Sequence, residues 1–354
     1  MVINFWQNIV SIHQLPFIEE LSRDPNIKVN LIVSDIANQE RIKMGWDVEI
    51  SKSVNLYYIY DIDISAYIQS SEINIFSGFF VYKDLNAALS ICLNKNKKIF
   101  IYSEGKDDLG FKGLLRIIKD SFIVKYRLNS NVKFLAIGDK GVKWFSKIGV
   151  PSKQIVKFGY FTKQKKTNNS FEGLYKKRIV FVGRLLPSKG ILELLKSFND
   201  ENLKNFSLDI YGNGILENEI DFLIKNYNLK NRVKRFNFLK NDVMREKLIN
   251  YDILALPNTG DEGWGAVINE GLQSGLKIIC SNKTGAACLV RASGAGIILN
   301  EVNNESLVDA ILRVNNLNFS RNYVVNWSEN NISPKVAADK FIAVINGIDE
   351  RFEW

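Results

Sequence analysis

The sequence contains little cysteine and histidine: three Cys and one His among 354 residues. Cys92, Cys280 and Cys288 lie far apart, without C-x-x-C spacing and without a histidine-rich segment near them. This pattern excludes a disulfide framework and gives no zinc-binding motif. We therefore expect three buried thiols and no bound metal.

Long apolar runs are also missing. No segment approaches the ~18 uninterrupted apolar residues of a transmembrane helix. The first residues, MVINFWQNIVSIHQ, lack the basic region that begins a secretion signal. We therefore expect a cytoplasmic protein.

The sequence does contain abundant apolar residues and an excess of positive charge. It is 46% hydrophobic and 24% charged, and its length exceeds what one hydrophobic core usually serves, so two domains are expected. The net charge of +9 indicates an acidic partner. Nucleic acid, anionic lipid and a phosphate-bearing substrate all meet that requirement, and charge alone does not choose among them.

Apolar runs rich in Val, Ile and Phe alternate with segments of helical period, which is typical of βαβ units. The polar and basic segment 161–177 interrupts this alternation and predicts a linker. We predict an α/β protein with one Rossmann-like, doubly wound domain over 1–162, a second over 163–330, and a C-terminal helical segment, 331–354, that packs back on the first. The predicted strands of the first domain are about 2–6, 28–33, 54–59, 73–77, 98–102 and 133–137, with helices that include 82–93 and 110–127. The strands of the second domain are predicted in the runs RIVFVGRL, SLDIYGNG, VKRFNFL, DILALP, LKIICS and AGIIL.

Open parallel sheets bind ligands at the carboxyl ends of their strands, so the residues directly after each run are informative. After the first strand of the second domain, FVGRLLPSKGILELL places Gly183, Arg184 and Lys189 around the start of a helix. Two cations beside unpaired helix N–H groups suit a diphosphate. A solvated basic loop is the alternative interpretation.

Two further loops are rich in glycine. In DIYGNG, Gly212 and Gly214 lie between a strand and a helix, where an ordinary turn explains them as well as a ligand does. In NTGDEGWGAVINEGL, Gly263 and Gly265 let backbone N–H groups approach a ligand, and Glu270 can accept hydrogen bonds from sugar hydroxyls. Acidic residues near a helix start also simply match the helix dipole.

The combination of VGRL…KG, YGNG and EGWGAVINEGL resembles the retaining family 4 glycosyltransferases of the GT-B fold, the glycosyl transferases group 1, over about 178–300. The seven residues between Glu262 and Glu270 are the most specific element of the resemblance. It implies two Rossmann-like domains that face each other across a cleft. It also implies that Arg184 and Lys189 hold the donor diphosphate, that Glu270 binds the ribose, and that Glu262 faces the sugar.

The same resemblance implies no metal and no cofactor. The two cations and the helix dipole neutralise the diphosphate of a nucleotide diphosphate sugar, which is itself a substrate. The residues assigned to donor binding are Gly183, Arg184, Lys189, Gly212, Gly214, Asn258, Glu262, Gly263, Trp264, Gly265 and Glu270.

The first domain departs from the family pattern. FWQNIVSIHQ replaces the glycine-rich loop that many relatives have after the first strand, and IYSEGKDD places Glu104 where many have a histidine. His13 follows the first predicted strand, where an imidazole either orients or deprotonates an acceptor hydroxyl. Alternatively, His13 only precedes a helix that begins at Pro16. The catalytic candidates are Arg184, Lys189, Glu262, His13 and Glu104.

Two other features each allow two interpretations. Asp61 and Asp63 spell the D-x-D of metal-dependent transferases, a tripeptide that is also frequent by chance. The helix 111–127 carries an apolar stripe beside Lys112 and Lys119. Such a stripe either packs in the core or lies on an anionic membrane, which would make the protein peripheral on the inner face of the cell membrane.

The expected function is that of a metal-independent hexosyltransferase. It would move a sugar, with retention, from a nucleotide diphosphate sugar to a glycan or polyprenyl-diphosphate-linked acceptor in the assembly of capsule, lipopolysaccharide O-antigen or exopolysaccharide. A GT-B nucleotide-sugar epimerase is the alternative within the fold. A basic nucleic-acid-binding protein would explain the charge, but no recognition helix, zinc finger or RNA-binding sheet motif accompanies it, so no nucleic-acid partner is expected.

Overall fold

The computed structural model describes residues 1–36, 49–163, 177–348, 352 and 354. The chain divides into two compact units. Unit 1 contains Met1–Thr162 and Pro334–Phe352, and unit 2 contains Lys163–Ser333 and Glu353–Trp354. Most of the predicted linker, 164–176, lies outside the described residues.

Unit 1 is built on a parallel sheet, because its apolar runs are buried on both faces, as strands covered by helices must be. Its described strands are β1 (Val2–Ile9), β2 (Lys28–Asp35), β3 (Val54–Tyr58), β4 (Ile73–Phe76), β5 (Lys98–Glu104), β6 (Val132–Ile137) and β7 (Ile155–Phe158). They lie in the order β3-β2-β1-β4-β5-β6-β7. The six predicted strands are present, and β7 is additional. Its run IVKF has only four residues and pairs with β6 at the sheet edge, so its apolar pattern is too short to predict a strand.

The helices of unit 1 follow its strands as βαβ crossovers require. The predicted helices 82–93 and 110–127 are present. The described helices in this part of the chain are α1 (Leu15–Leu21), α2 (Ile64–Ser70), α3 (Lys83–Asn94), α4 (Gly110–Arg127) and α5 (Gly138–Lys147).

Unit 2 repeats the architecture. Its described strands are β8 (Arg178–Val182), β9 (Ser207–Tyr211), β10 (Val233–Phe236), β11 (Ile253–Leu256), β12 (Lys277–Ser281) and β13 (Gly296–Leu299). Their order, β10-β9-β8-β11-β12-β13, is that of a dinucleotide-binding sheet, which reverses its winding between β8 and β11. Its described helices are α6 (Ile191–Ser197), α7 (Glu217–Asn226), α8 (Asn241–Leu248), α9 (Val267–Gln273), α10 (Ala287–Ser293), α11 (Asn304–Asn315) and α12 (Arg321–Ile332).

The last described helix, α13 (Pro334–Ile345), packs in unit 1. Its Phe341 contacts Phe17 of α1, with ring centres 5.4 Å apart, and Phe100 of β5, with ring centres 5.1 Å apart. Phe17 also meets Tyr102 and Phe158 edge to face. Such edge-to-face contacts add to the energy of burial. This aromatic cluster fixes α1, and with it the loop that carries His13, over β5 and β7.

Candidate functional site

The turn between β8 and α6 carries Gly183, Arg184 and Lys189. Lys189 ends a short 3-10 turn, and Gly190 then adopts a left-handed conformation (φ 66°) before α6 begins. A Cβ atom at Gly190 would lie 1.9 Å from the carbonyl oxygen of Pro257, directly after β11. Glycine is therefore required here, and the turn rests against the segment that follows β11.

The glycines of YGNG serve the same turn. A Cβ atom at Gly212 would lie 1.9 Å from the carbonyl oxygen of Gly183, and one at Gly214 would lie 2.4 Å from that of Leu185. The N–H of Leu185 donates to the carbonyl of Asn213 at 2.9 Å. Close backbone packing thus accounts for both glycines, and they support the segment that carries Arg184. Their contact with a donor stays a prediction.

The structure brings Lys189 and Glu262 together. The ammonium of Lys189 donates to the carboxylate of Glu262, and both side chains are largely shielded from solvent. Arg184, by contrast, is exposed, and its guanidinium has no ion-pair partner within the described part of the chain. The turn therefore offers one neutralised cation and one available cation at the carboxyl end of β8.

The loop that carries Glu262 is held by the loop after β12. The N–H of Glu262 donates to Lys283 at 3.0 Å, and the N–H of Gly285 donates back to Glu262 at 3.2 Å. A Cβ atom at Gly285 would lie 1.9 Å from the carbonyl oxygen of Gly263. Gly265 has a φ of 86°, a conformation that favours glycine. Gly285 is the single glycine of NKTGAACLV, and sequence reasoning missed that it docks the Glu262 loop.

Glu270 lies in the first turn of α9 and is buried. The side-chain amide of Asn241 donates to its carboxylate at 2.8 Å. Burial raises the pKa of Glu270, and the nearby Arg245 and the Asn241 hydrogen bond oppose that rise. Sequence reasoning missed Asn241 and Arg245, because their helix, α8, comes from a distant part of the chain. A buried carboxylate at the carboxyl end of a sheet suits ligand hydroxyl groups.

Asn258 and Trp264 are buried beside this loop. The amide of Asn258 donates to the hydroxyl of Thr284 at 2.9 Å, and its own side-chain oxygen has no hydrogen-bond partner among the described residues. The indole N–H of Trp264 donates to Asn269 at 2.8 Å. Both predicted residues therefore lie with Glu262 at the carboxyl end of β11.

In unit 1, Tyr160 connects the two predicted residues His13 and Glu104. The ring of Tyr160, just after β7, lies 5.4 Å from the imidazole of His13, centre to centre. Its hydroxyl is hydrogen-bonded to Glu104, and burial together with the Glu104 charge raises the pKa of Tyr160 well above its usual value. The hydroxyl of Tyr102 donates to the carbonyl of Gly159 at 2.5 Å, which fixes this segment. Sequence reasoning missed Tyr160 because it did not predict β7.

The D-x-D tripeptide has a structural explanation. The carboxylate of Asp63 caps α2 by accepting hydrogen bonds from the N–H groups of Ser65 and Ala66 at 2.9 and 3.2 Å. Within the ranges that the structure describes, no group of three or more His, Cys, Asp or Glu side chains is arranged to hold a metal ion. Metal-independent transfer stays a prediction.

Helix α4 packs Ile117, Ile123 and Val124 against the core of unit 1 and turns its other apolar side chains away from it. Gly113, Asp120 and Ile123 form its buried side. Phe111 is 74% exposed and Phe122 is 60% exposed. The exposed apolar residues of α4 are Phe111, Leu114, Leu115, Ile118, Phe122 and Tyr126, which we call the apolar face. None of the helices in the described ranges has the length and apolar character needed to cross a bilayer.

Comparison with known proteins finds sequence similarity in unit 2. Residues 162–333 match the family profile of the glycosyl transferases group 1. A segment of 164 residues is 25% identical to the uncharacterized glycosyltransferase MJ1607 of Methanocaldococcus jannaschii, covering 46% of this chain and 42% of that protein. The match therefore spans less than half the length of this relative.

Solved structures match almost the whole chain. The lipopolysaccharide outer core galactosyltransferase WaaB aligns with a TM-score of 0.71 at 14% identity, over 98% of this chain and 99% of WaaB. Anabaena HepE in complex with UDP aligns with a TM-score of 0.70 at 14% identity, over 98% and 100%. WaaG, a glycosyltransferase involved in lipopolysaccharide biosynthesis, aligns with a TM-score of 0.57 at 13% identity, over 98% of this chain and 100% of WaaG. These matches confirm the predicted GT-B fold class, and the family profile confirms the predicted group; family 4 and retention stay predictions.

Proposed function

We propose that this chain transfers a sugar from a nucleotide diphosphate sugar to a glycan or lipid-linked acceptor, as the match of residues 162–333 to the glycosyl transferases group 1 supports. One observation carries the proposal. Arg184 and Lys189 follow β8, Glu262 and Glu270 follow β11, and the winding of the sheet reverses between these two strands. Ligands of open parallel sheets bind at such a switch point.

The charges suit the chemistry of a diphosphate leaving group. The exposed Arg184 and the ammonium of Lys189 would stabilise the negative charge that grows as the bond between the sugar and the phosphate breaks. Glu270 would accept hydrogen bonds from the ribose, and Glu262 would face the sugar. A uridine base is supported by the similarity to HepE, whose structure contains UDP.

Transfer would proceed with retention on one face of the sugar. The bond from the anomeric carbon to the phosphate oxygen breaks, and a bond to the acceptor oxygen forms on the same side. The acceptor proton passes to the departing phosphate, so no protein base and no metal is needed. On the acceptor side, His13 and Glu104 of unit 1 would orient the hydroxyl through hydrogen bonds.

We further propose that α4 attaches the protein to the inner, anionic face of the cell membrane. The one acidic side chain of this helix points inward, since Asp120 is buried and pairs with Lys106 at 2.6 Å. Gly113 is in close contact with the backbone of Asp108, which excludes a side chain there. Because these inward contacts fix the rotation of the helix, its apolar face remains on the surface.

The charges around the apolar face favour anionic lipid over neutral lipid or protein. Lys112, Lys119 and Lys125 are exposed on α4, whereas its single acidic residue, Asp120, is buried and paired. An apolar surface flanked by lysines is the pattern of helices that lie in a lipid interface. Such attachment fits a polyprenyl-linked acceptor and a role in lipopolysaccharide, capsule or exopolysaccharide assembly.

Nucleotide binding tests the proposed function first. Thermal unfolding is followed with UDP, GDP and ADP, since a ligand at 100 times its dissociation constant stabilises the folded state by about 2.7 kcal/mol. UDP-glucose and UDP-galactose are then incubated with the protein and the products identified. An epimerase would interconvert the two nucleotide sugars without an acceptor, and a nucleic-acid-binding protein would be stabilised by an oligonucleotide instead. If none of these nucleotides stabilises the protein, the result would contradict a donor site in unit 2.

A further inference from the structure

Two tryptophans of unit 2 pack against each other at the loop that carries Glu262. Trp264 belongs to this loop, and Trp354 covers it, with ring centres 5.9 Å apart and planes tilted by 59°. Trp264 is 2% exposed and Trp354 is 4% exposed. A buried tryptophan in a loop of glycines needs such a cover, because its indole would otherwise expose a large apolar surface.

Both indoles are fixed by hydrogen bonds. The indole N–H of Trp264 donates to the side chain of Asn269 in α9 at 2.8 Å. The indole N–H of Trp354 donates to the carbonyl of Asn331 in α12 at 3.1 Å. The carbonyl of Trp264 also accepts from the N–H of Ala286 at 2.8 Å. Trp354 therefore connects α12 to the Glu262 loop through an aromatic contact.

Backbone hydrogen bonds to the segment after β12 hold this loop, and the packing of Trp264 against Trp354 adds a side-chain contact to them. Gly260, Gly263 and Gly265 contribute no side chains, and glycine has the largest conformational freedom to lose. Glu262 lies two residues before Trp264 and forms the ion pair with Lys189. A displacement of Trp264 would therefore be expected to displace the carboxylate that faces the proposed sugar position.

We propose that Trp354 is a positioning residue that holds Trp264, and through it Glu262, in place for the sugar end of the donor. The contact with the loop is independent of the ligand, while the effect on the donor rests on the proposed function. The sequence offers no motif for this role, because Trp354 lies far from the loop along the chain.

Hydrogen exchange of the intact, ligand-free chain tests the positioning. Trp354→Ala should accelerate exchange of the N–H groups of Glu262, Gly285 and Ala286, which bond across the loop, whereas Trp354→Phe should preserve most of their protection. The matched control for a general loss of stability is Phe206→Leu. Phe206 is a buried residue of unit 2 that directly precedes β9. Unchanged exchange at the loop in Trp354→Ala, or an equal acceleration in the control, overturns the proposal.

Calorimetry with UDP and UDP-glucose tests the consequence for the donor. Trp354→Ala should weaken binding of UDP-glucose by at least about threefold more than binding of UDP, because the preorganised loop serves only the sugar end. An equal loss for both ligands, together with accelerated exchange, would overturn the link to the sugar. If the wild-type protein binds neither ligand, the proposed function fails, and the exchange experiment still decides whether Trp354 holds the loop.

Discussion

Lys189 and Glu262 form an ion pair although one follows β8 and the other follows β11. The pair bridges the two loops on either side of the reversal in the sheet. A diphosphate that binds Lys189 must therefore compete with the Glu262 carboxylate. The ion pair keeps the lysine ordered, and it also opposes the binding of the leaving group.

Replacement of Glu262 should separate these two effects. Glu262→Gln removes the competing charge, so UDP should bind about two- to fivefold more tightly, as expected of a partly exposed pair. Transfer should nevertheless become slower, because the carboxylate toward the sugar is lost. Calorimetry with UDP and an assay of sugar transfer measure the two outcomes, with Asp261→Asn as a neighbouring charge control. Weaker UDP binding in Glu262→Gln would contradict the competition.

Arg184→Ala and Lys189→Ala should each lower the rate of transfer at saturating donor. Loss of one group that stabilises developing charge typically costs about 10²–10³ in rate. Lys196→Ala, an exposed lysine of α6, should leave the rate unchanged. Circular dichroism checks that the fold is intact. Normal turnover in both active-site variants would remove the pair from the site.

The ionised carboxylate of Glu270 should lower the stability of the folded protein at neutral pH. Burial raises its pKa from the ordinary value of 4.5, so the folded chain binds this proton more tightly than the unfolded chain. Stability then falls as the pH rises from about 4.5 through the raised pKa, and the cost is complete above it. Glu270→Gln should therefore unfold at a higher temperature than the wild type at neutral pH, with a difference that shrinks on acidification. Identical pH dependence of the two proteins would exclude this cost.

The same residue should contribute to nucleotide affinity. Glu270→Ala should weaken UDP binding by about 1.5–3 kcal/mol, the usual value for a hydrogen bond to a charged group. Asn241→Ala should weaken it less, because Asn241 only orients the carboxylate through its 2.8 Å hydrogen bond. Calorimetry measures both. An unchanged dissociation constant in Glu270→Ala would leave this residue with a structural role alone.

Tyr160 should act together with Glu104 on the acceptor side. Tyr160→Phe removes the hydrogen bond to Glu104 but keeps the ring beside His13, so its effect on transfer should largely disappear in a Glu104→Gln background. His13→Ala should raise the KM for acceptor and leave UDP affinity unchanged, because the proposed donor residues belong to unit 2. Full activity of His13→Ala would mean that this histidine only precedes α1.

Helix α4 should bring the protein to vesicles that contain anionic lipid. Flotation should decrease as salt rises, because the lysines around the apolar face are screened. The double variant Leu115→Ser and Ile118→Ser should abolish flotation, whereas Phe222→Ser, an exposed phenylalanine of α7, should not. Flotation that does not depend on lipid charge would indicate a purely hydrophobic contact.

The sequence predicts those parts of the structure that depend on local pattern. Apolar runs rich in Val, Ile and Phe identify six strands of unit 1, and the helical period identifies α4. The direction in which α4 faces could not be predicted, since it depends on the pairing of Asp120 with Lys106 and on the close approach of Gly113 to the backbone. A periodic stripe shows only that one side of a helix differs from the other.

In the candidate site, too, local sequence pattern predicts some features and tertiary contacts determine the others. Strand ends locate Arg184, Lys189, Glu262 and Glu270 in the sequence, because glycine and charge follow apolar runs there. The partners of these residues come from elsewhere in the chain, as Asn241 does for Glu270, and carry no recognisable motif.

The aromatic cluster of Phe17, Phe100 and Phe341 has a consequence for synthesis of the protein. Unit 2 lies in Lys163–Ser333 except for its last residues, Glu353–Trp354, whereas unit 1 is completed by α13, which the ribosome makes after Ser333. During translation of unit 2, Phe17 and Phe100 therefore lack their final partner and leave an apolar surface uncovered. Domains of nascent chains generally fold in order of synthesis. Here the first unit to emerge stays incomplete while most of unit 2 is made, and its apolar surface is covered only when Phe341 arrives.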